Sequence, residues 1–396
     1  MIEDIYKKID TLKKDNSSIN IERLKESLIE GFKNEFLDSS DKVLLDLVFM
    51  ENPTQEDLDN CLKNYDIEVV GGHKALMLAY FMKMHPELTF PKYVEPRLKG
   101  LIQYYRFNNL KLISAFTTIC HEFNKHGIND IMVIKGGAMK HLRPEFPRVM
   151  GDIDILVKEK DYEKSINIVK DMGYDITEYQ HSADVHPKGT EEGLLDIHKY
   201  IEMETGFEKS VCKDIFNRAT KQKVFSLDIY IPCVEDLVFI SLINLTKNLI
   251  NQTSSAGNLY SMFDCSFLIN SKQDFDWNIV LDNVEKSKSK YQLYLAICFI
   301  NSIVPNFLPE KLTKKNILRK ELENYCALLF YKRFYLGEMK EHSHALKVGD
   351  VIKNPKLFKE YMSFKPKYFI CKRSIIKNNP YLVKKILKIE NKLVCE

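Results

Sequence analysis

The sequence predicts an α+β fold, a small mixed β-sheet flanked by N-terminal and C-terminal helical regions. Three observations predict it. Over the first hundred or so positions, apolar residues recur at helical spacing. From Ile131 the pattern changes to brief apolar or alternating runs, broken by glycine and proline. After Pro232, long apolar stretches return at the length of buried helices.

The N-terminal helical region is expected over 1–95. In it "IERLKESLIEGF" places Ile21, Leu24, Leu28 and Phe32 on one helical face. "SSDKVLLDLVFM" has Ser40 or Asp41 as its expected cap, and "NPTQEDLDNCL" has Thr54, with acids in the first turn. In "IEVVGGHKAL", Gly71 and Gly72 follow an apolar run, but no acidic pair comes after them, so they read as a turn. Pro91 and Pro96 mark a break, and a long helix is expected from Arg97 to His126, ended by Gly127.

An α/β catalytic domain is expected over 96–232. "IMVI" reads as a buried strand, "AMKHL" as a short helix before Pro144, and "DIDILV" as a second strand. "KDYEKSINIVKDMG" is an amphipathic helix with Tyr162, Ile166 and Val169 inward and Gly173 as its stop. "YDITEYQ", "GLLDIHKY" and "KVFSLDIYIP" read as one strand each, the last closed by Pro232. A helical bundle is expected over 233–345, built from "VEDLVFISLINLTKNLI", "NLYSMFDCSFLI", "WNIVLDNVEKS" and "YQLYLAICFINSIV". The segment 346–396 is basic. It reads as a solvated surface, with contact to a phosphate-bearing partner as the functional alternative.

With 396 residues, 45% of them hydrophobic, the chain can bury a sizeable core in more than one subdomain. A net charge of only +3 and the lack of an evident nucleic-acid module leave nucleic acid unindicated as a partner. The nine cysteines are scattered and include no C-x-x-C, which argues against a zinc knuckle or disulfide framework and for a reducing cytoplasm. The opening "MIEDIYKKIDTLKKDN" lacks the apolar core of a signal peptide. The longest apolar stretches fall short of the roughly 20 residues that span a bilayer, so no membrane association is expected. His342 and His344 form an H-x-H without further ligands and read as surface residues, and the aromatics of "FYKRFY" read as packing.

The chemistry concentrates in "KGGAMKHLRPEFPRVMGDIDILV". In a strand, positions i and i+2 share a face, so Asp152 and Asp154 point the same way, their Cα atoms roughly 7 Å apart. Each raises the other's pKa unless a cation sits between them. An oxygen-only pair suits Mg²⁺, which keeps waters and substrate phosphates in its shell. Gly136 and Gly137 stand between a strand and a short helix, where missing side chains and first-turn N–H groups favour a phosphate. Lys135 and Arg148 add positive charge, with Arg143 a weaker second candidate. A third carboxylate would complete a two-metal site. Asp196 in "GLLDIHKY" is the first choice, with His198 two residues on and on the same face, and Asp228 in "FSLDIYIP" is the runner-up.

The glycine turn after a strand, the Asp-x-Asp in a second strand and the lone Asp in a third resemble the nucleotidyltransferase superfamily built on the DNA polymerase β palm. More narrowly, "MVIKGGAMKHL…PRVMGDIDILV…LLDIHKY" is similar to the bacterial family of uncharacterised nucleotidyltransferases, from about Tyr104 to near Val304. The gap between the glycines and Asp152 is longer than in minimal members of the superfamily, and Ile134 stands where leucine is commoner. The resemblance implies a nucleotidyltransferase palm, an NTP substrate and Mg²⁺ or Mn²⁺. It implies Asp152, Asp154 and Asp196 as metal ligands and catalytic carboxylates, and Gly136, Gly137 and Arg148 as phosphate contacts. Beside them, Lys135 and His198 are expected at the nucleotide. The expected acceptor is a hydroxyl of a small molecule, sugar, peptide or protein. Phosphoryl transfer or regulatory nucleotide binding on the same fold stays open, as does a non-enzymic helical interaction protein.

Overall fold

The computed structural model describes Lys33 and residues 37–309, apart from 66, 68–71, 145, 147, 180, 202–208, 252–254, 288–289 and 305–306. The Ile21–Phe32 helical face, the "FYKRFY" aromatics, His342, His344 and the basic segment 346–396 lie outside the described residues.

The N-terminal helices are α1 (Ser39–Val48), α2 (Gln55–Asn64), α3 (Gly72–Met84) and the long α4 (Val94–Lys125). Asp38, rather than Ser40 or Asp41, caps α1. Its extended backbone lets its carboxylate accept from the Asp41 N–H at 2.7 Å, while Asp41 accepts from the Asp38 N–H at 3.2 Å. Asp41 is fully buried and also ion-paired with Lys74 of α3, so one acid closes the cap and docks a neighbouring helix. Thr54 caps α2 as expected, in a box closed by Asp57. Gly72 opens α3, where an added Cβ would collide with the Tyr105 ring of α4. α4 starts three residues before Arg97. Pro96 falls in its first turn, where no intrahelical N–H is required. Its end is as expected, with Gly127 at φ 79°.

Then come β1 (Ile131–Val133), α5 (Lys135–Leu142), β2 (Ile153–Val157), α6 (Glu159–Asp171), β3 (Asp175–Glu178), β4 (Ser182–His186), β5 (Leu195–His198), α7 (Lys209–Arg218), β6 (Thr220–Val224) and β7 (Leu227–Ile231). The strands form one seven-stranded sheet in the order β3-β4-β5-β2-β1-β7-β6. The β2–β5 and β1–β7 pairs are parallel and the others antiparallel, so the sheet is mixed, and the fold is α+β as predicted. "KVFSLDIYIP" is a hairpin and not one strand. Phe225 and Ser226 turn it with φ of 47° and 75°, the left-handed pair of a two-residue hairpin turn.

The helices α8 (Val234–Asn251), α9 (Ser255–Asn270), α10 (Trp277–Lys286) and α11 (Lys290–Asn301) follow. Arg218 of α7 donates to Asp236 of α8 at 2.7 Å and to Asn283 of α10 at 3.0 Å, which ties the sheet's last helix to the bundle. A single core runs from Leu44 through Phe116 and the sheet residues Ile155 and Leu156 to Phe239 and Ile300. Phe146, from the connection between α5 and β2, stacks on Phe263 and Phe267 of α9 and meets Tyr80 of α3 edge-on, so this connection is clamped between two helices. Among the described residues, no helix is long and apolar enough to cross a membrane.

Candidate active site

Sheet register assembles the carboxylates. β2 and β5 are parallel neighbours with Asp154 directly beside Asp196, and β4 places Asp184 opposite Asp196 from the other side. Residues in register share a face, so the three aspartates form a row across three strands, with His198 two residues along on the same face. Asp152 precedes β2, close enough to Asp154 for that charge to dominate its titration.

Two cationic side chains sit among these acids. Lys135 Nζ contacts Asp154 Oδ1 and lies 3.4 Å from His198 Nε2. His198 Nε2 is 2.7 Å from Asp196 Oδ2 and 3.1 Å from Asp154 Oδ1. Burial and the Lys135 charge work against protonating this imidazole, but Asp196 and Asp154 outweigh them and raise its pKa to about 9. Burial likewise opposes ionising Asp154 and Asp196. For Asp154, Lys135 and His198 reverse that and hold its pKa low, and for Asp196, His198 and Lys135 do the same. Asp152 gets less relief. The Asp154 charge and burial push it up to about 7. Asp184 is raised by burial and by Asp196, and Tyr179 donates to it.

The glycines also shape the packing at the start of α5. α5 begins at Lys135, not at Ala138, so Gly136 and Gly137 are its first turn. A Cβ on Gly137 would come within 2.7 Å of Val133 Cγ2 and 3.2 Å of Ile153 Cγ2, so its absence lets α5 close onto β1 and β2. A Cβ on Gly136 would come within 2.9 Å of Arg148 Nε, so that space holds the guanidinium. First-turn N–H groups have no partner within the helix and suit an anion. Lys135 itself takes φ 47°, a left-handed conformation that costs a non-glycine residue about 1–2 kcal/mol and turns the chain sharply from β1 into α5.

Arg148 is not a loose phosphate finger. Its Nη1 donates to both oxygens of Asp264 on α9, at 2.6 and 2.5 Å, and the guanidinium lies over the Tyr260 ring at 5.0 Å. Asn109 of α4 holds the same loop by donating to the Arg148 carbonyl at 2.7 Å and accepting from the Met150 N–H at 3.3 Å. Arg143 is drawn elsewhere, over Phe267 and onto the Ser271 carbonyl. Asp228 is exposed on β7, two strands from β2 and at the opposite end of β1 from Lys135, so it does not join the row.

The profile of a family of uncharacterised nucleotidyltransferases matches residues 74–305, more than half of the chain. The chain belongs to that family. The match starts some thirty residues before Tyr104 and so takes in most of α3, which packs against α4 and α9. No curated protein matches the sequence. Membership of this nucleotidyltransferase family supports nucleotidyl transfer as the general activity and a nucleotide as substrate.

In this family member, Asp154, Asp196 and His198 are the one group among the described residues whose ligand atoms all lie within 4.8 Å of one another, in a set that could hold a metal ion. Sequence reasoning singled out Lys135, Gly136, Gly137, Arg148, Asp152, Asp154, Asp196 and His198, and the structure brings them to one end of β1, β2 and β5. It missed Asp184, Asn109 and Asp264. A lone acid inside the apolar "SMFDCSFLI" was the available signal for Asp264.

Proposed function

We propose that the chain moves a nucleoside monophosphate from an NTP to a hydroxyl of a small molecule, sugar, peptide or protein. The acceptor oxygen bonds to the α-phosphorus, the bond to the bridging oxygen breaks, and pyrophosphate leaves. The observation that carries this reading is the register of Asp154 beside Asp196, next to the first turn of α5.

A divalent cation, Mg²⁺ or Mn²⁺, fits the row. Lys135 already places a positive charge on Asp154, and Asp196 Oδ1 is buried without a hydrogen-bond partner among the described residues. Asp152, Asp154 and Asp196 would hold it as hard oxygen donors. The cation would supply charge stabilisation at the phosphates.

The chain's own groups do the positioning. The first-turn N–H groups of Gly136 and Gly137, with Arg148 beside them, hold the leaving end of the triphosphate. Lys135, released from Asp154, reaches the same oxygens. His198 stays charged through the neutral range and balances the acids around the reacting phosphorus. Asp196 faces the entering hydroxyl and receives its proton. This arrangement works by orientation and by pre-set charge.

The test is pyrophosphate release from each NTP with Mg²⁺ or Mn²⁺. Asp154→Ala should lower it by at least about a thousandfold with the far-ultraviolet spectrum unchanged. Release by that variant at the wild-type rate would remove Asp154 from the reaction.

A further inference from the structure

Two basic side chains converge on one oxygen of Asp154. Lys135 Nζ contacts its Oδ1, and His198 Nε2 lies 3.1 Å from the same atom. The two are held differently. The His198 side chain is 2% exposed and also stands 2.7 Å from Asp196 Oδ2, so it is pinned between two carboxylates. The Lys135 side chain is 28% exposed against 10% for Asp154, so the ammonium has a way out of the row that the carboxylate lacks.

We infer that Lys135 bars the aspartate row to a free divalent cation and opens it to one that arrives with the nucleotide. The inference rests on the nucleotidyl-transfer reading above and names how the same site is controlled.

The backbone at this point is fixed. The Ile134 N–H donates to the Asp154 carbonyl at 3.0 Å, and Lys135 turns the chain at φ 47° and opens α5. From that anchored position the flexible four-carbon stem serves two places. One is the Asp154 carboxylate. The other is the first turn of α5, where N–H groups without a partner in the helix suit an anion.

Charge on the shared carboxylate decides between them. A divalent cation and an ammonium on the same carboxylate are like charges in near contact, and in a buried site that repulsion is little screened. The ammonium also neutralises Asp154, so the row attracts a free cation with one negative charge fewer. A triphosphate at the first turn of α5 changes the balance, because its several charged oxygens are a stronger partner for an ammonium than one carboxylate. Lys135 then leaves Asp154, and the carboxylate is free for the cation that the phosphates carry. Coupling of this kind is reciprocal, so cation and nucleotide tighten each other's binding by the same factor.

The experiment titrates Mn²⁺ into the full chain without nucleotide and reads the free ion by electron spin resonance. Lys135→Met and Lys135→Gln, which remove the charge, should each bind Mn²⁺ at least about tenfold more tightly than wild type. Lys135→Arg, which keeps the charge, should stay close to wild type. Asp154→Asn added to Lys135→Met should remove the gain. With the α,β-methylene analogues of the four NTPs present, the difference between wild type and Lys135→Met should shrink. A lysine that served only to bind phosphate would leave the affinity for free Mn²⁺ where it was. Mn²⁺ affinity no higher in either uncharged variant than in wild type, or a gain that survives Asp154→Asn, would therefore overturn the gating role while leaving nucleotidyl transfer standing. Failure of wild type to bind any of the four analogues with Mn²⁺ would overturn the transfer reading, and the gating role with it.

Discussion

Arg148 is held by a buried partner as well as placed toward the phosphates. Its pairing with Asp264 leaves the two side chains only 12% and 5% exposed, so the pair sits where an unmatched charge is expensive. Asp264→Leu should therefore destabilise the protein by about 3–5 kcal/mol in urea unfolding, and Arg148→Met combined with Asp264→Leu should recover most of that loss. The double variant then separates two roles. If Arg148 also contacts the triphosphate, the stable double variant has a raised KM for the NTP. An unchanged KM would leave Arg148 a purely structural residue. Asp152 and Asp154 were legible because acids stood out against an apolar alternation. Asp264 also stood out as a lone acid in an apolar run, but its role was not legible, because its partner lies 116 residues earlier in the chain.

At the scale of elements, α3 reaches the site through His73, whose ring meets Tyr260 of α9 edge-on with centroids 4.4 Å apart. Its Nδ1 is buried without a hydrogen-bond partner among the described residues. Burial, aided by the Arg148 charge, lowers its pKa from 6.5 to about 4. Between those values the unfolded chain binds the proton and the folded chain does not, so stability is present above pH 6.5 and drains as pH falls toward 4. The loss should be on the order of 1–2 kcal/mol, discounted because the imidazole is only partly buried. Urea unfolding at pH 7 and pH 5 should show this drop, and His73→Phe, which keeps the ring contact, should flatten it. An equal drop in that variant would assign the pH dependence to other groups. The elements that sequence patterning missed share a physical reason. β4 reads "SADVH", a five-residue alternation whose apolar face is only Ala183 and Val185, too short and weak a signal to mark a strand. The β6–β7 turn uses Phe225 and Ser226 in left-handed conformations usually marked by glycine or asparagine.

For the whole molecule, the sheet order is what makes a site. Asp154 and Asp196 are 42 positions apart in the chain but adjacent in parallel register, and α9 brings Asp264 back to Arg148 from the far bundle. The alternation of "DIDILV" and "LLDIH" announced which residues share a face, but not that these two strands are neighbours, because strand pairing is a long-range choice. The glycines show the same limit. Their position after a strand was legible, while the neighbours that fill their Cβ space, Arg148, Val133 and Ile153, come from folding. The most direct measurement is isotopic. The full chain is incubated with Mg²⁺, an acceptor-containing extract, and NTP labelled at either the α- or the γ-phosphorus. Nucleotidyl transfer predicts α-label on the acceptor and γ-label in pyrophosphate, both absent with Asp154→Ala. Transfer of the γ-label to the acceptor, or α-labelling that persists in Asp154→Ala, would contradict it.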